Sequence, residues 1–302
     1  MEEGAESGSP KAPVTNKGTR SSVTGFSGTG TLPKVPKASG SGIHPIAAAP
    51  PPPKKDDANH TSVVVQSDTS SELLKAERPD ERVVTEIVGC LKMKGSMLAM
   101  GACERVKKIA RVYPVEIANS AIMQELIAIL KDNAATALAG SVMQALSIMA
   151  LNPEGRQKVC LAGAGAPLIR FIRSADMSKP NLDRAVTLLM NLAADQTNRR
   201  AIREDGGVEA LVELLKVAPV SEPVMEHALG ALHNLALLDA KAKSRALEGG
   251  ILVPLVRIIT TKGLPDTDMC QVRGRMVLTE LLKMPETEDK LAAVAQEMGV
   301  KL

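Results

Sequence analysis

The sequence predicts an all-α solenoid of about five tandem units behind a disordered N-terminal tail. Three observations carry this: an apolar composition almost without aromatics, a motif that recurs every 42–44 residues, and glycines at one fixed place before three of its copies.

The 302 residues are 44% hydrophobic and 24% charged, the balance of a folded chain. There is no Trp, one Tyr (Tyr113) and two Phe (Phe26 and Phe171). A single compact core normally leans on aromatics for volume, whereas Leu, Ile, Val, Ala and Met suit helix-on-helix layers.

The apolar motif appears as Gln124-ELIAIL, Ala166-PLIRFI, Glu209-ALVELL and Val253-PLVRII. Its marker residues Leu126, Leu168, Leu211 and Leu255 are 42, 43 and 44 residues apart, and Ile87 is a diverged copy 39 residues earlier. A second helix follows each marker: Cys103-ERVKKIARV, Val142-MQALSIMAL, Val186-TLLMNLAAD, Ala228-LGALHNLAL and Arg275-MVLTELLK. Such self-similarity is the signature of a repeat array.

Between units runs a shorter helical stretch that ends in glycine. Gly163, Gly206 and Gly250 each stand five residues before a marker leucine, where a left-handed residue would end one helix and turn into the next. Ala121 holds that place in the earliest interval, so a different turn is expected there.

Residues 1–72 read as a Pro/Ser/Gly-rich tail and 73–302 as the solenoid, with uninterrupted helical periodicity from Glu81. Nine of the 19 prolines lie in the tail, and a segment so poor in apolar mass cannot offset its chain entropy. Pro33-Lys34-Val35-Pro36 and Pro50 to Pro53 favour polyproline II, but they lack the flanking anchors of a groove ligand, so the tail reads as a tether. Ser9-Pro10-Lys11 is a bare phosphoacceptor pattern.

Thirty-seven basic against 34 acidic residues is too even for a nucleic-acid partner. Cys90, Cys103, Cys160 and Cys270 form no C-x-x-C pair and read as small buried hydrophobes in a reducing compartment. His44, His60, His227 and His233 never fall at ligand spacing, so no metal or cofactor is expected. There is no G-x-S-x-G, Walker loop or paired-carboxylate constellation, so neither an enzyme nor a small-molecule site is expected. No signal h-region, myristoylation glycine or 18-residue apolar run appears, and Val300-Lys301-Leu302 reads as an ordinary helix end. A cytosolic or nuclear address follows.

Thr197-NRRAIREDGGVEALVELL followed by Met225-EHALGALHNLALL resembles the armadillo repeat. The flavour is similar to the arrays of plant-type U-box ligases, vacuole-membrane scaffolds and catenin-like adaptors. No U-box motif stands before the array, so ligase activity is not implied. HEAT repeats, the main rival, lack the short glycine-terminated helix. The resemblance implies a right-handed armadillo α-solenoid whose third helices line a concave groove that binds another protein.

Helical register then sorts that groove face. In the fourth unit Ala228, Ala231, Leu232 and Leu235 form the apolar side, leaving Gly230, His233, Asn234 and Leu237 outward. The same register selects Glu104, Lys107, Lys108 and Arg111, then Gln144, Ser147, Ile148 and Leu151, then Thr187, Met190, Asn191 and Ala194, and finally Met276, Thr279, Glu280 and Lys283. Asn191 and Asn234 match the family's groove asparagine, whose amide both donates to and accepts from an extended peptide. The family's groove tryptophan is missing, which weakens any likeness to nuclear-import adaptors. Lys107, Lys108 and Arg111 would suit an acidic segment or form a solvated helix face. The expected function is a scaffold or adaptor gripping an extended peptide; the alternative is a cofactor of a chaperone or small GTPase that binds a folded domain.

Overall fold

A computed structural model describes residues 77–132, 137–174, 179–218, 223–265 and 267–301. The tail and its boundary at residue 72 lie outside the described residues. Every regular element among them is a helix.

The first unit is a helix pair, α1 (Glu81–Lys92) and α2 (Met97–Ala110). Three-helix units follow: α3 (Pro114–Ala118), α4 (Ala121–Asp132) and α5 (Ala137–Met149); then α6 (Pro153–Leu161), α7 (Gly165–Arg173) and α8 (Lys179–Ala193). Next come α9 (Gln196–Glu204), α10 (Gly207–Val217) and α11 (Pro223–Ala236); then α12 (Ala240–Glu248), α13 (Leu252–Ile259) and α14 (Met269–Leu281). A last helix, α15 (Thr287–Glu297), packs on α13 and covers the end of the array.

Short polar side chains start the first helices of successive units. Asn152, Asp195 and Asp239 accept from the backbone N–H groups of Gly155, Thr197 and Ala242, at 3.1, 2.8 and 3.0 Å. Each cap satisfies a donor that has no partner inside the helix. Glycine ends the same helices: Gly163, Gly206 and Gly250 have φ of +89°, +86° and +78°. In the earliest interval Ser120 does this work instead. Its hydroxyl donates to Ile117 O at 2.8 Å and accepts from Ile122 N at 3.3 Å, so no left-handed residue is needed.

The markers Leu126, Leu168, Leu211 and Leu255 are 0% exposed and Ile87 is 1% exposed, which makes them the centre line of one shared core. Each such burial contributes roughly 1.5–3 kcal/mol. No unit could bury its apolar faces alone, so stability resides in the stacking.

Arginines hold successive units together through main-chain carbonyls. Arg156 of α6 donates to Ala150 O at 2.9 Å, at the end of the preceding unit. Arg199 of α9 donates to Ala193 O behind it at 3.0 Å and to Leu237 O at 3.1 Å. At the next junction Arg245 reaches Arg203 O at 2.7 Å, and Arg257 reaches Leu215 O at 2.9 Å.

Candidate functional site

The third helix of each unit stands beside the third helix of the next: α2 packs on α5, α5 on α8, α8 on α11 and α11 on α14. These five form the inner face. Between α2, α5, α8 and the start of α11 lies an open cavity of about 540 Å³. Its lining includes Glu104, Lys107, Lys108, Arg111, Gln144, Ser147, Ile148 and Thr187, eight residues that the register selects. It also includes Asp183, Arg184 and His227.

Within the cavity, Lys107 Nζ sits 2.5 Å from Glu104 Oε1 and 3.0 Å from Gln144 Oε1, so its charge is matched. His227 Nδ1 lies 2.7 Å from Asp183 Oδ1. A carboxylate only accepts, which places the proton on Nδ1. Thr187 Oγ1 lies 3.1 Å from the same nitrogen. Because hydroxyl and carboxylate meet one ring nitrogen, these three side chains do not form the nucleophile–base–acid relay of acyl transfer.

The remaining selected residues do not join the cavity's lining. Gly230 and Glu280, expected to face outward, are buried. Gly230 lies on α11, flanked by α8 and α14, and Glu280 on α14 is covered from α12, so register taken from one helix alone overstates the width of the uncovered strip. Over Gly230 lies the Arg273 guanidinium from α14. Glu280 meets Lys243 at 3.3 Å and Lys283 at 2.5 Å. Burial alone would raise the Glu280 carboxyl, but Lys283 and Lys243 outweigh it and hold it below the ordinary glutamate range.

Asn234 is half-buried and donates to Met190 O at 3.2 Å, tying α11 to α8. That bond takes up its Nδ2 in the packing of the two helices. Asn191 is half-buried as well, and its amide makes no hydrogen bond among the described residues. His233 is half-buried, and burial pushes its pKa below the ordinary histidine value, with Glu280 opposing.

Cys103 and Cys270 are buried as expected, whereas Cys90 and Cys160 are half-buried. All four cysteines are free, and burial pushes Cys103, Cys160 and Cys270 up to about 11, so they stay protonated at neutral pH.

Asp183, Arg184 and His227 escaped the register because it began one turn too late. Arg184, His227 and Arg273 each stand seven residues before Asn191, Asn234 and Glu280. Seven residues is two helical turns, so they lie on the same stripe. Extending the stripe back from Thr187 and Gly230 would have found them.

No helix among the described residues is long and apolar enough to cross a membrane. A search of curated proteins finds no match to this chain. The profile of the armadillo/beta-catenin-like repeat matches residues 195–237, the span of α9 to α11. Among solved structures, the chain is similar to a computationally designed armadillo repeat protein for modular peptide recognition. The two share 23% identity with a TM-score of 0.62, over 70% of this chain and 88% of the other. It is also similar to a designed armadillo repeat protein in complex with the peptide (KR)4, at 22% identity and a TM-score of 0.61, covering 70% and 87%. With its three-helix units, left-handed glycine turns and matched fourth repeat, the chain has the armadillo-repeat fold.

Proposed function

We propose that the solenoid is an interaction scaffold that holds an extended segment of a partner protein along its inner face. One observation carries this reading: side chains from four successive inner helices converge on one open cavity. Helices that pack side by side lie about 8–10 Å apart. An extended chain advances about 3.3 Å per residue. Each unit therefore meets a new stretch of about three residues. Asn191 supports the same reading, since its amide is available to a peptide N–H and C=O. The similar designed proteins add support, one made for peptide recognition and one holding a peptide.

On this reading the protein binds without chemistry of its own, in a reducing cytosolic or nuclear compartment, and its partner is a protein rather than a nucleic acid or small molecule. A second reading, a cofactor seated on a folded domain, has Leu151 and Leu238 in its favour. These lie just beyond the ends of α5 and α11 and are 68% and 80% exposed. The test is to recover partners by pull-down and map each as overlapping linear peptides. A peptide that binds alone and is weakened by Ile148→Ala and Asn191→Ala supports the first reading. A partner that binds only as a folded domain, and is lost on Leu151→Glu or Leu238→Glu, replaces it with the second.

A further inference from the structure

The inner face carries a stepped ladder of charges. Asp183 of α8 pairs with His227 of α11 at 2.7 Å, and Glu226 of α11 pairs with Arg273 of α14 at 3.2 Å. The acids Asp183 and Glu226 hold equivalent places, eight residues before Asn191 and Asn234. Each pairs with the base one residue further along in the following unit. One unit earlier the acid's place is Gly140, and the base it should meet is Arg184.

Arg184 does lie over Gly140, as Arg273 lies over Gly230. With no carboxylate on that rung, its Nη1 bonds only the neutral Asn181 Oδ1, at 2.9 Å. Arg184 has no ion pair among the described residues. Lys108 on the facing helix α2 is exposed, and it too has no ion pair among the described residues. Both line the same cavity.

We propose that this first half of the inner face receives an acidic segment, with Lys108 and Arg184 holding an aspartate or glutamate side chain of the partner. The inference rests on the peptide-binding reading and names the partner's chemistry. Arg111 aside, three fixed cations line the cavity, Lys107, Lys108 and Arg184, against two carboxylates, Glu104 and Asp183. Both carboxylates are already engaged, by Lys107 and His227. The uncompensated charge is therefore positive. Ser147 and Thr187 add hydroxyls and Ile148 an apolar contact, which suits a segment whose acidic residues alternate with small or apolar ones. An open, net-positive concavity also attracts such a segment before contact.

The test uses the full chain and fluorescein-labelled octapeptides in an anisotropy titration. The probes are alternating Glu-Thr, its Gln-Thr counterpart, its phosphoserine-Thr counterpart, and (KR)4. The Glu-Thr probe should bind at least about fivefold tighter than Gln-Thr, and the advantage should shrink as salt rises. Lys108→Gln and Arg184→Gln should each weaken it by about two- to fivefold. Lys108 is exposed, so its variant reports binding even if Arg184→Gln disturbs packing. Glu213→Lys, on α10 and outside the cavity, should change nothing. Equal binding of Gln-Thr and Glu-Thr would overturn the acidic assignment and leave the peptide reading intact. Binding of the phosphoserine probe alone would overturn it in favour of a phosphorylated partner, and tighter binding of (KR)4 would reverse its sign. Failure of every probe would overturn both readings.

Discussion

Arg273 lies over Gly230. The guanidinium of α14 occupies the space a side chain on α11 would take, its Nη1 3.3 Å from Met190 Sδ and its Nη2 3.2 Å from Glu226 Oε1. One arginine thereby bridges three inner helices, and it can do so only because the residue beneath it has no Cβ. The two positions should therefore be energetically coupled. Gly230→Ala in the wild type gains helix propensity of about 1 kcal/mol but must push the guanidinium off Glu226. In an Arg273→Ala background the gain should stand alone. A double-mutant cycle by urea denaturation is expected to show a coupling of about 1 kcal/mol or more, and additive changes would mean the arginine moves aside at no cost.

Glycine position, rather than glycine content, governs the turns. Gly206 and Gly250 sit at φ +86° and +78°, where a β-branched residue is strained. Gly206→Val and Gly250→Val should each cost roughly 1–3 kcal/mol. Gly101 lies inside α2 with nothing within 4 Å of the position a Cβ would take. Gly101→Ala should stabilise by up to about 1 kcal/mol. Thermal melts of the three variants check the contrast.

The two asparagines of the inner face should part company on mutation. Asn234→Ala deletes the hydrogen bond to Met190 O and should lower stability by about 0.5–1.5 kcal/mol. Asn191→Ala removes no such bond and should melt like the wild type, while weakening a bound peptide. Equal loss of stability in both would mean that Asn191 has a structural role as well.

Acid should destabilise the fold through His233. Its folded pKa is depressed below the ordinary 6.5, with burial as the main cause. Between those two values the unfolded chain binds a proton that the folded chain does not, so stability falls as pH drops below about 6.5 and is full above it. The Tm of His233→Gln, compared at pH 7.5 and 5.5, should fall less than that of the wild type. Glu280 acts lower on the scale. Its folded pKa is held below the ordinary 4.5, so the stability it contributes is lost only as pH falls below about 4.5.

The fold was largely readable from one dimension because it repeats. Marker leucines and turn glycines recur at fixed spacing, and periodicity reports burial along a helix. What periodicity leaves out is the lateral neighbour. Nothing in the spacing of Gly230 says that Arg273, 43 residues on, will cover it, or that Lys243 will meet Glu280 in the interior. Asn191 and Asn234 look alike in sequence, and only the packing of α11 on α8 gives one of them a main-chain partner. Arg184 and His227 were legible in principle, two turns before the asparagines, because the pattern holds there too.

The junctions between units are fastened where sequence scarcely matters. Arg156, Arg199, Arg245 and Arg257 grip backbone oxygens, which every residue offers regardless of its side chain. An inner-face residue that makes no such cross-helix contact, Lys108 for one, can therefore be exchanged without loosening the fastening between units. On the scaffold reading, such a chain could trade one partner for another by point substitution at those positions, because the oxygens that the arginines grip belong to the backbone.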